Sequence, residues 1–473
     1  MAGITSFGAY IPMYRMSREI LAQVWGGKGK GEKAVACADE DSLTMGVEAA
    51  RDCLKGVDKN TVDALYFATT TAPYKEKQSA SIMAAACDLK DDIVTVDVTD
   101  SIRSATVALM MALDAVKAGS ARQALVVTAD TRLAGPDTRY EGLFGDGAAA
   151  FLIGNDDIVV EIEGNTCITS EFVDIWRLEF DKIIRVWEER HCREESYVPY
   201  MTRAISAVLE KLKLTVKDMS KAVIFSPDQS MQRDIVKQMK FDPKEQVQDL
   251  MFDEVGHTGC ALVPMVLVRA LQDAKAGDKI ITANYGDGVD AIVFKATDKI
   301  GKMADRRGIK GYLASKVALP NYGKYLHFRD LMEWEHDLFM ERRMALAEIW
   351  RHRNFYFRFH GIKCTKCGHI MVPPPNTCIY CQADEKYFEP APLADARGKL
   401  TTYSLDVRSR AVDPPNVLAA VDFHGGGRFF SQMTDRDPDN LQVGMEMELT
   451  FRRIHDALGI HNYFWKCRPV RGE

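Results

Sequence analysis

The 473-residue sequence is notable first for what it lacks. No stretch approaches the roughly 18 consecutive apolar residues that a membrane-spanning helix needs. The opening MAGITSFGAYIPMYRMSRE is too mixed in polarity to read as a secretory leader. Basic residues are outnumbered by acidic ones, 61 to 67, and the net charge of −6 offers no general attraction for nucleic acid or an anionic membrane surface. A GxxxxGK[ST] phosphate loop is missing. The 11 cysteines do not form a disulfide framework. Seven are scattered through apolar runs and four cluster near the end, a distribution that suits a reducing, cytoplasmic setting. A soluble enzyme or binding protein of two or three domains is the class left standing.

What is present is an alternation of apolar strand-like and amphipathic helix-like runs over residues 1–300, the α/β pattern. The pattern predicts strands at 63–69, 93–98, 123–129, 148–153, 222–225, 279–283 and 291–295, and helices at 42–53, 79–87, 104–117, 197–212 and 263–274. A weak internal repeat runs through this region. ALYFA at 64–68 matches AVIFS at 222–226, and the Gly-Asp-Gly of 145–147 before AAAFLI matches that of 286–288 before VDAIVF. Two similar halves, about 1–165 and 166–300, follow as the expectation. Residues 301–328 read as a linker, and 329–356 as a highly charged amphipathic helical strut whose apolar residues include Leu331, Trp334, Leu338, Met344, Leu346 and Trp350.

The most specific local signal is Cys364-x-x-Cys367 followed, after ten residues, by Cys378-x-x-Cys381. Four thiolates at this spacing fill a tetrahedral zinc shell and leave no place for water, so the metal would be structural. Disulfides, or iron on the same ligands, are the alternatives, and His369 inside the loop is expected to face solvent. This zinc ribbon is assigned to 357–384. Beyond it, 385–473 holds five short alternating segments separated by turns such as HGGG and DRDPDN, the pattern of a small OB-type barrel. It has no basic stripe interleaved with aromatics, which argues against nucleic acid.

The ordered set DEDSLTM (39–45), DVTDSIRSAT (97–106), FGDGAAA (144–150), DIWR (174–177), GHTG (256–259) and NYGDG (284–288) resembles the hydroxymethylglutaryl-CoA synthase and ketoacyl synthase III branch of the thiolase superfamily. Residues from about 325 onward resemble the zinc-ribbon/OB proteins associated with such enzymes, here fused. The resemblance implies a duplicated five-layered α/β/α/β/α fold, a homodimer, an acyl-CoA substrate and a possible partner enzyme recruited by the ribbon/OB half. It also implies a cysteine nucleophile heading a helix, which falls on Ile102 with Ser101 one position earlier. The family's glutamate falls near Thr70, its histidine on Ser226 and its asparagine on His257.

Isoleucine cannot carry an acyl group. The reading that follows is an acyl-CoA enzyme that makes or breaks a carbon–carbon bond next to the thioester, of aldol or retro-aldol type on a 3-hydroxyacyl-CoA, without a cysteine acyl-enzyme. The alternatives are an acyltransferase or synthase of hydroxymethylglutaryl-CoA synthase type and a non-catalytic acyl-CoA-binding scaffold. In the first reading His257 exchanges a proton near neutral pH, Tyr285 hydrogen-bonds a developing alkoxide, and Ser101 and Ser226 are further catalytic candidates. Ile102, Thr70 and Asp228 are expected along the pocket, and Cys260 is a displaced-nucleophile alternative. The glycine-rich basic stretch 25–33 puts Trp25, Lys28, Lys30 and Lys33 forward as coenzyme A contacts, with Arg177 and, more weakly, Trp176 in the same groove.

Overall fold

The computed structural model describes residues 2–332, 345–408 and 411–472. The chain forms two compact units, Met1–Cys37 with Asp41–Ala84 and Leu89–Tyr325, and Ala38–Glu40 with Ala85–Asp88 and Leu326–Glu473.

The first unit is built on a nine-stranded sheet whose centre is the antiparallel pair Gly3–Tyr10 and Val160–Thr169. Outward from this pair the two halves repeat one another. Each has an antiparallel neighbour (Gly147–Gly154; Gly288–Ala296), a second antiparallel strand (Gln123–Asp130; Lys279–Tyr285) and then a parallel one (Val62–Ala68; Lys221–Ile224). The first half adds a fifth strand, Val94–Val98, whereas in the second half this place is held by a single parallel bridge between Ala222 and Val247. The duplication expected from the paired motifs is therefore present, and Gly-Asp-Gly precedes the corresponding strand in each half.

Helices complete five layers. Leu262–Asp273 (LVPMVLVRALQD) is apolar almost all round, and nine of its twelve residues are buried. A helix with no polar face has to be covered on every side, and this one packs against strands of both halves. It shares the inner layer with Ser104–Lys117, while Ser42–Leu54 and Val198–Leu212 cover the outer faces. Ser42–Leu54 begins at a capping box in which Asp41 Oδ1 accepts the Thr44 N–H and Thr44 Oγ1 accepts the Asp41 N–H, each at 2.8 Å. It lies so close to the strand Gly3–Tyr10 that a Cβ at Gly8 would sit 2.4 Å from the Cys53 nitrogen.

Residues 301–325 are not the patternless linker expected. The helices Gly308–Ala314 and Tyr322–Phe328 flank a short strand, Val317–Ala318, that pairs in parallel with Tyr14–Ser17. The Asp52 carboxylate accepts the N–H groups of Arg307 and Gly308, tying this segment to the first unit. Of the expected strut, residues 333–344, with Trp334, Leu338 and Met344, lie outside the described residues; Leu346–Arg351 and Arg353–Tyr356 are helical.

In the second unit a three-stranded sheet, Ile370–Met371, His360–Cys364 and Phe388–Pro392, carries the cysteine loops, so the ribbon runs past 384 to 392. A closed barrel follows, ordered Gly398–Asp406, Asn416–Phe423, Arg428–Met433, Ile460–Pro469 and Glu446–Ala457. Its core is aromatic. Trp465 is fully buried and its indole N–H donates to the Phe357 carbonyl at 2.9 Å. Asp435 is also buried and accepts ion pairs from Arg452, Arg468 and Arg471, which hold its carboxyl far below the usual range against the upward push of burial.

Candidate active site

Four parallel-paired strands of the first unit end at one cavity of about 910 Å³. Open α/β sheets bind ligands beyond the carboxyl ends of their strands. Here Thr69 and Thr70 follow Val62–Ala68, residues 99–102 follow Val94–Val98, Phe225 and Pro227 follow Lys221–Ile224, and Gly286 and Asp287 follow Tyr285.

Ser101 and Ile102 line the cavity just before the helix Ser104–Lys117. The turn that brings them there is strained, with Asp100 at φ +77°. Arg103 pins it from behind, donating to Asp290 Oδ1 and the Ile168 carbonyl, both at 3.1 Å. Ser101 Oγ accepts the Arg103 N–H at 3.3 Å, and among the described residues no histidine or carboxylate hydrogen-bonds this hydroxyl. It therefore has no base to activate it as a nucleophile. None of the cavity-lining residues is a cysteine. Cys260 is buried, 3.2 Å from Thr128 Oγ1 and 3.4 Å from the Ala68 carbonyl, and desolvation pushes its thiol well above the ordinary range.

His257 lines the same cavity, packed among Phe144, Phe225 and Phe252. Its Nδ1 accepts the Gly259 N–H at 3.1 Å, which places the ring proton on Nε2. Burial, reinforced by the Arg132 charge, holds the pKa down at about 3. The expected proton exchange near neutral pH is therefore corrected: the ring is a neutral donor through Nε2–H. An unfolded histidine takes its proton near pH 6.5 while the folded site refuses it down to about 3, so this group's stability contribution is lost as pH falls through that window. From pH 7 to 5 the wild type should lose about 2 kcal/mol relative to His257→Gln in denaturant unfolding. The His257 ring resonances should show no titration from about pH 8 to 5.

Tyr285 is buried, with its hydroxyl 2.8 Å from Ser196 Oγ. Desolvation, then the Asp174 charge, pushes the phenol up. Burial also lifts the Asp174 carboxyl above its ordinary value, against the Ile175 N–H that it accepts at 2.6 Å. Asp174 precedes the short strand Ile175–Trp176, which pairs with Arg185–Val186 and forms one wall of the cavity. Arg177, on the same wall, donates to the Thr70 carbonyl.

Several expected site residues are elsewhere. Ser226 and Asp228 do not line the cavity. Ser226 donates to the Asp228 carbonyl at 2.5 Å, and Asp228 caps the helix Gln229–Met239 and pairs with Arg139. Lys33 is buried against the Glu141 carbonyl and the Tyr325 hydroxyl, 3.0 Å from the latter, which removes it as a phosphate ligand. The Trp25 indole donates to Glu141 Oε2 at 3.1 Å, and neither it nor the exposed Lys28 and Lys30 borders the cavity.

In the second unit the sulfur atoms of Cys364, Cys367, Cys378 and Cys381 all lie within 4.8 Å of one another, Cys364–Cys381 at 3.7 Å and Cys367–Cys378 at 3.6 Å. Sulfurs at the vertices of a tetrahedron with Zn–S bonds near 2.3 Å are about 3.8 Å apart, so the four thiols fit one metal ion. All four are free of disulfides. His369 is exposed and stacks on Tyr380, with ring centroids 4.0 Å apart.

Profiles of the 3-oxoacyl-[acyl-carrier-protein] synthase III family match residues 96–172 and, for its C-terminal part, 209–295. Residues 391–452 match the C-terminal OB-fold domain of ChsH2. The hydroxymethylglutaryl-CoA synthase of Methanocaldococcus jannaschii is 30% identical over 341 residues, 70% of this chain and 99% of that protein. The chain belongs to the hydroxymethylglutaryl-CoA synthase family. The corresponding enzyme of Thermococcus gammatolerans is 31% identical over 298 residues, 62% of this chain and 85% of its own. Among solved structures, a hydroxymethylglutaryl-CoA synthase complexed with CoA superposes with a TM-score of 0.63 at 17% identity, covering 71% of this chain and 92% of that one. The 3-oxoacyl-[acyl-carrier-protein] synthase III of Aquifex aeolicus gives 0.57 at 20% identity, covering 62% and 100%.

Of the positions matched to the family's functional residues, the fold brings Ile102, Thr70 and His257 to one cavity and leaves Ser226 outside it. Three residues that sequence reasoning passed over belong to the site or its support: Asp174, Arg132 and Asp130. A signal existed for two of them. Asp174 stands in a quoted motif, and Asp130 closes an otherwise apolar strand, where a buried carboxylate needs a reason.

Proposed function

We propose that this chain binds an acyl-CoA thioester in the 910 Å³ cavity and makes or breaks the carbon–carbon bond beside the thioester by aldol-type chemistry, without an acyl-enzyme. The observation that carries this reading is an aliphatic side chain, Ile102, at the helix start where a nucleophile would stand, with no thiol among the lining residues. In the cleavage direction the 3-hydroxyl of the substrate gives up its proton and the C2–C3 bond breaks. A carbonyl forms at C3, and the electron pair passes to the thioester enolate, which is then protonated at C2. The His257 Nε2–H is a donor for the thioester oxygen. The Asp174 carboxylate, lifted in pKa and lining the cavity with Tyr285, is the proton acceptor. Arg177 and Trp176 on the cavity wall are the groups for the coenzyme A portion.

The relatives are named for a condensation, which supports the bond-forming direction and a synthase-type reading over cleavage. Incubation with a panel of 3-hydroxyacyl-CoA esters should release a shorter acyl-CoA and a carbonyl compound, or the reverse mixture should condense, as followed by mass spectrometry. Tight binding with no turnover in either direction would count against an enzyme and for a scaffold.

The four ribbon thiolates hold a structural zinc ion in this reading, supported by their mutual distances.

A further inference from the structure

Asp130 ends the strand Gln123–Asp130 and is completely buried. Five donors converge on its carboxylate. Oδ1 accepts from Thr69 Oγ1 at 3.0 Å, the Thr70 N–H at 2.7 Å and Thr71 Oγ1 at 2.9 Å. Oδ2 accepts from Thr70 Oγ1 at 2.9 Å and the Cys260 N–H at 2.8 Å. Gly259, at φ +61°, makes room for this arrangement, since a Cβ there would stand 2.2 Å from Oδ2.

The consequence falls on Thr70. A hydroxyl has one proton and two lone pairs, and an ionised carboxylate only accepts. The single proton of Thr70 is therefore committed to Asp130. Thr69 and Thr71 use their lone pairs internally, taking the N–H groups of Thr71 and Thr131, each at 3.0 Å. No donor among the described residues reaches Thr70 Oγ1, and Thr70 lines the cavity. Arg177 grips the Thr70 carbonyl, so the residue is held on its backbone as well as its side chain. Thr70, partly exposed on the cavity wall, thus has a hydroxyl oxygen with no proton to offer.

We infer that Asp130 positions Thr70 as an acceptor-only contact that selects an acyl-CoA bearing a hydroxyl donor on its acyl chain over the ketone or unsubstituted ester. The inference rests on the acyl-CoA reading of the cavity. A substrate hydroxyl donates to Thr70 Oγ1 and completes it. A ketone presents lone pairs to lone pairs, and a methylene leaves the acceptor dry and unmet; a site built for a hydroxyl rejects analogues that lack it.

The test is calorimetric binding of matched 3-hydroxyacyl-, 3-ketoacyl- and unsubstituted acyl-CoA esters of the same length. Wild type should prefer the hydroxy ester by about tenfold or more. Thr70→Val, which keeps the shape and removes the hydroxyl, should collapse that ratio to near one, and Thr70→Ser should restore the preference. Asp130→Asn places a donor against Thr70 and should reduce the preference as well; if it does not fold, the Thr70 pair decides alone. Esters that bind with the same ratio in wild type and Thr70→Val would overturn this inference and leave the acyl-CoA reading intact. Failure of every ester to bind the wild type would overturn both.

Discussion

Incubated with a radiolabelled short-chain acyl-CoA and then denatured, the wild-type protein should carry no label, and an Ile102→Cys variant should carry close to one equivalent. Position 102 borders the cavity immediately ahead of the helix Ser104–Lys117. Backbone N–H groups at a helix start stabilise an anion, and a thiol placed there loses its proton more readily than a free cysteine. The turn is held by Arg103 through Asp290 and the Ile168 carbonyl, and those contacts do not involve the 102 side chain. The smaller side chain should cost about 1–2 kcal/mol in lost packing and leave the fold intact. The all-or-none difference in labelling is the readout. Label on the wild type would overturn the non-covalent reading, and peptide mapping would then name the residue; Ser101 would be the first place to look. No label on Ile102→Cys would show that the thioester carbonyl does not approach this helix start.

The second large effect concerns the ribbon. Purified protein should contain about one zinc per chain, and Cys378→Ala should lose it, as measured by inductively coupled plasma mass spectrometry. The ribbon has little else to hold it together. Its buried cluster is Cys364, Met371, Cys378 and Ala383, with Ile362, Cys367, Tyr387 and Phe388 packed at the edge. Two of the four buried members are cysteines of the four-thiol cluster, and a core this small cannot outweigh the entropy of ordering the segment. Structural zinc in such peptides contributes roughly 10–16 kcal/mol of apparent binding free energy. Hydrogen exchange in the strands His360–Cys364 and Phe388–Pro392 should rise by orders of magnitude in Cys378→Ala or after chelation. Full protection in metal-free protein would show that the thiols are only neighbours.

Where sequence reasoning succeeded, the signal was local and periodic. The helix predicted at 104–117 is Ser104–Lys117, and the five alternating segments after the ribbon are the five barrel strands. Within the nine-stranded sheet, the two strands without a sequence signal are the central pair, Gly3–Tyr10 and Val160–Thr169. GITSFGAY is broken by Gly8, which the structure needs for close approach of the helix Ser42–Leu54, and by Gly3, which lies against Val160; half of VEIEGNTCIT is polar. Neither has the apolar run that marks a strand covered on both faces.

The site divides in the same way. Ile102, Thr70 and His257 were placed by motif order, which survives folding. Ser226 and Asp228 fall outside the cavity because Asp228 caps the helix Gln229–Met239 and Ser226 Oγ donates to the Asp228 carbonyl. Lys33 was misplaced because a buried lysine is rare, and its partner Tyr325 lies 292 residues away in the chain.

The α/β alternation, the four-thiol spacing and the isoleucine at 102 are legible in the chain alone, because each follows from residue type and short-range spacing. The hydrogen-bonding polarity of the cavity emerges on folding. That polarity depends on Asp130 from one strand end meeting Thr69, Thr70 and Thr71 from another and the Cys260 N–H from a third segment. Contacts of this kind arise when distant stretches of chain pack together, and no local pattern of residues encodes where the Thr70 proton is spent.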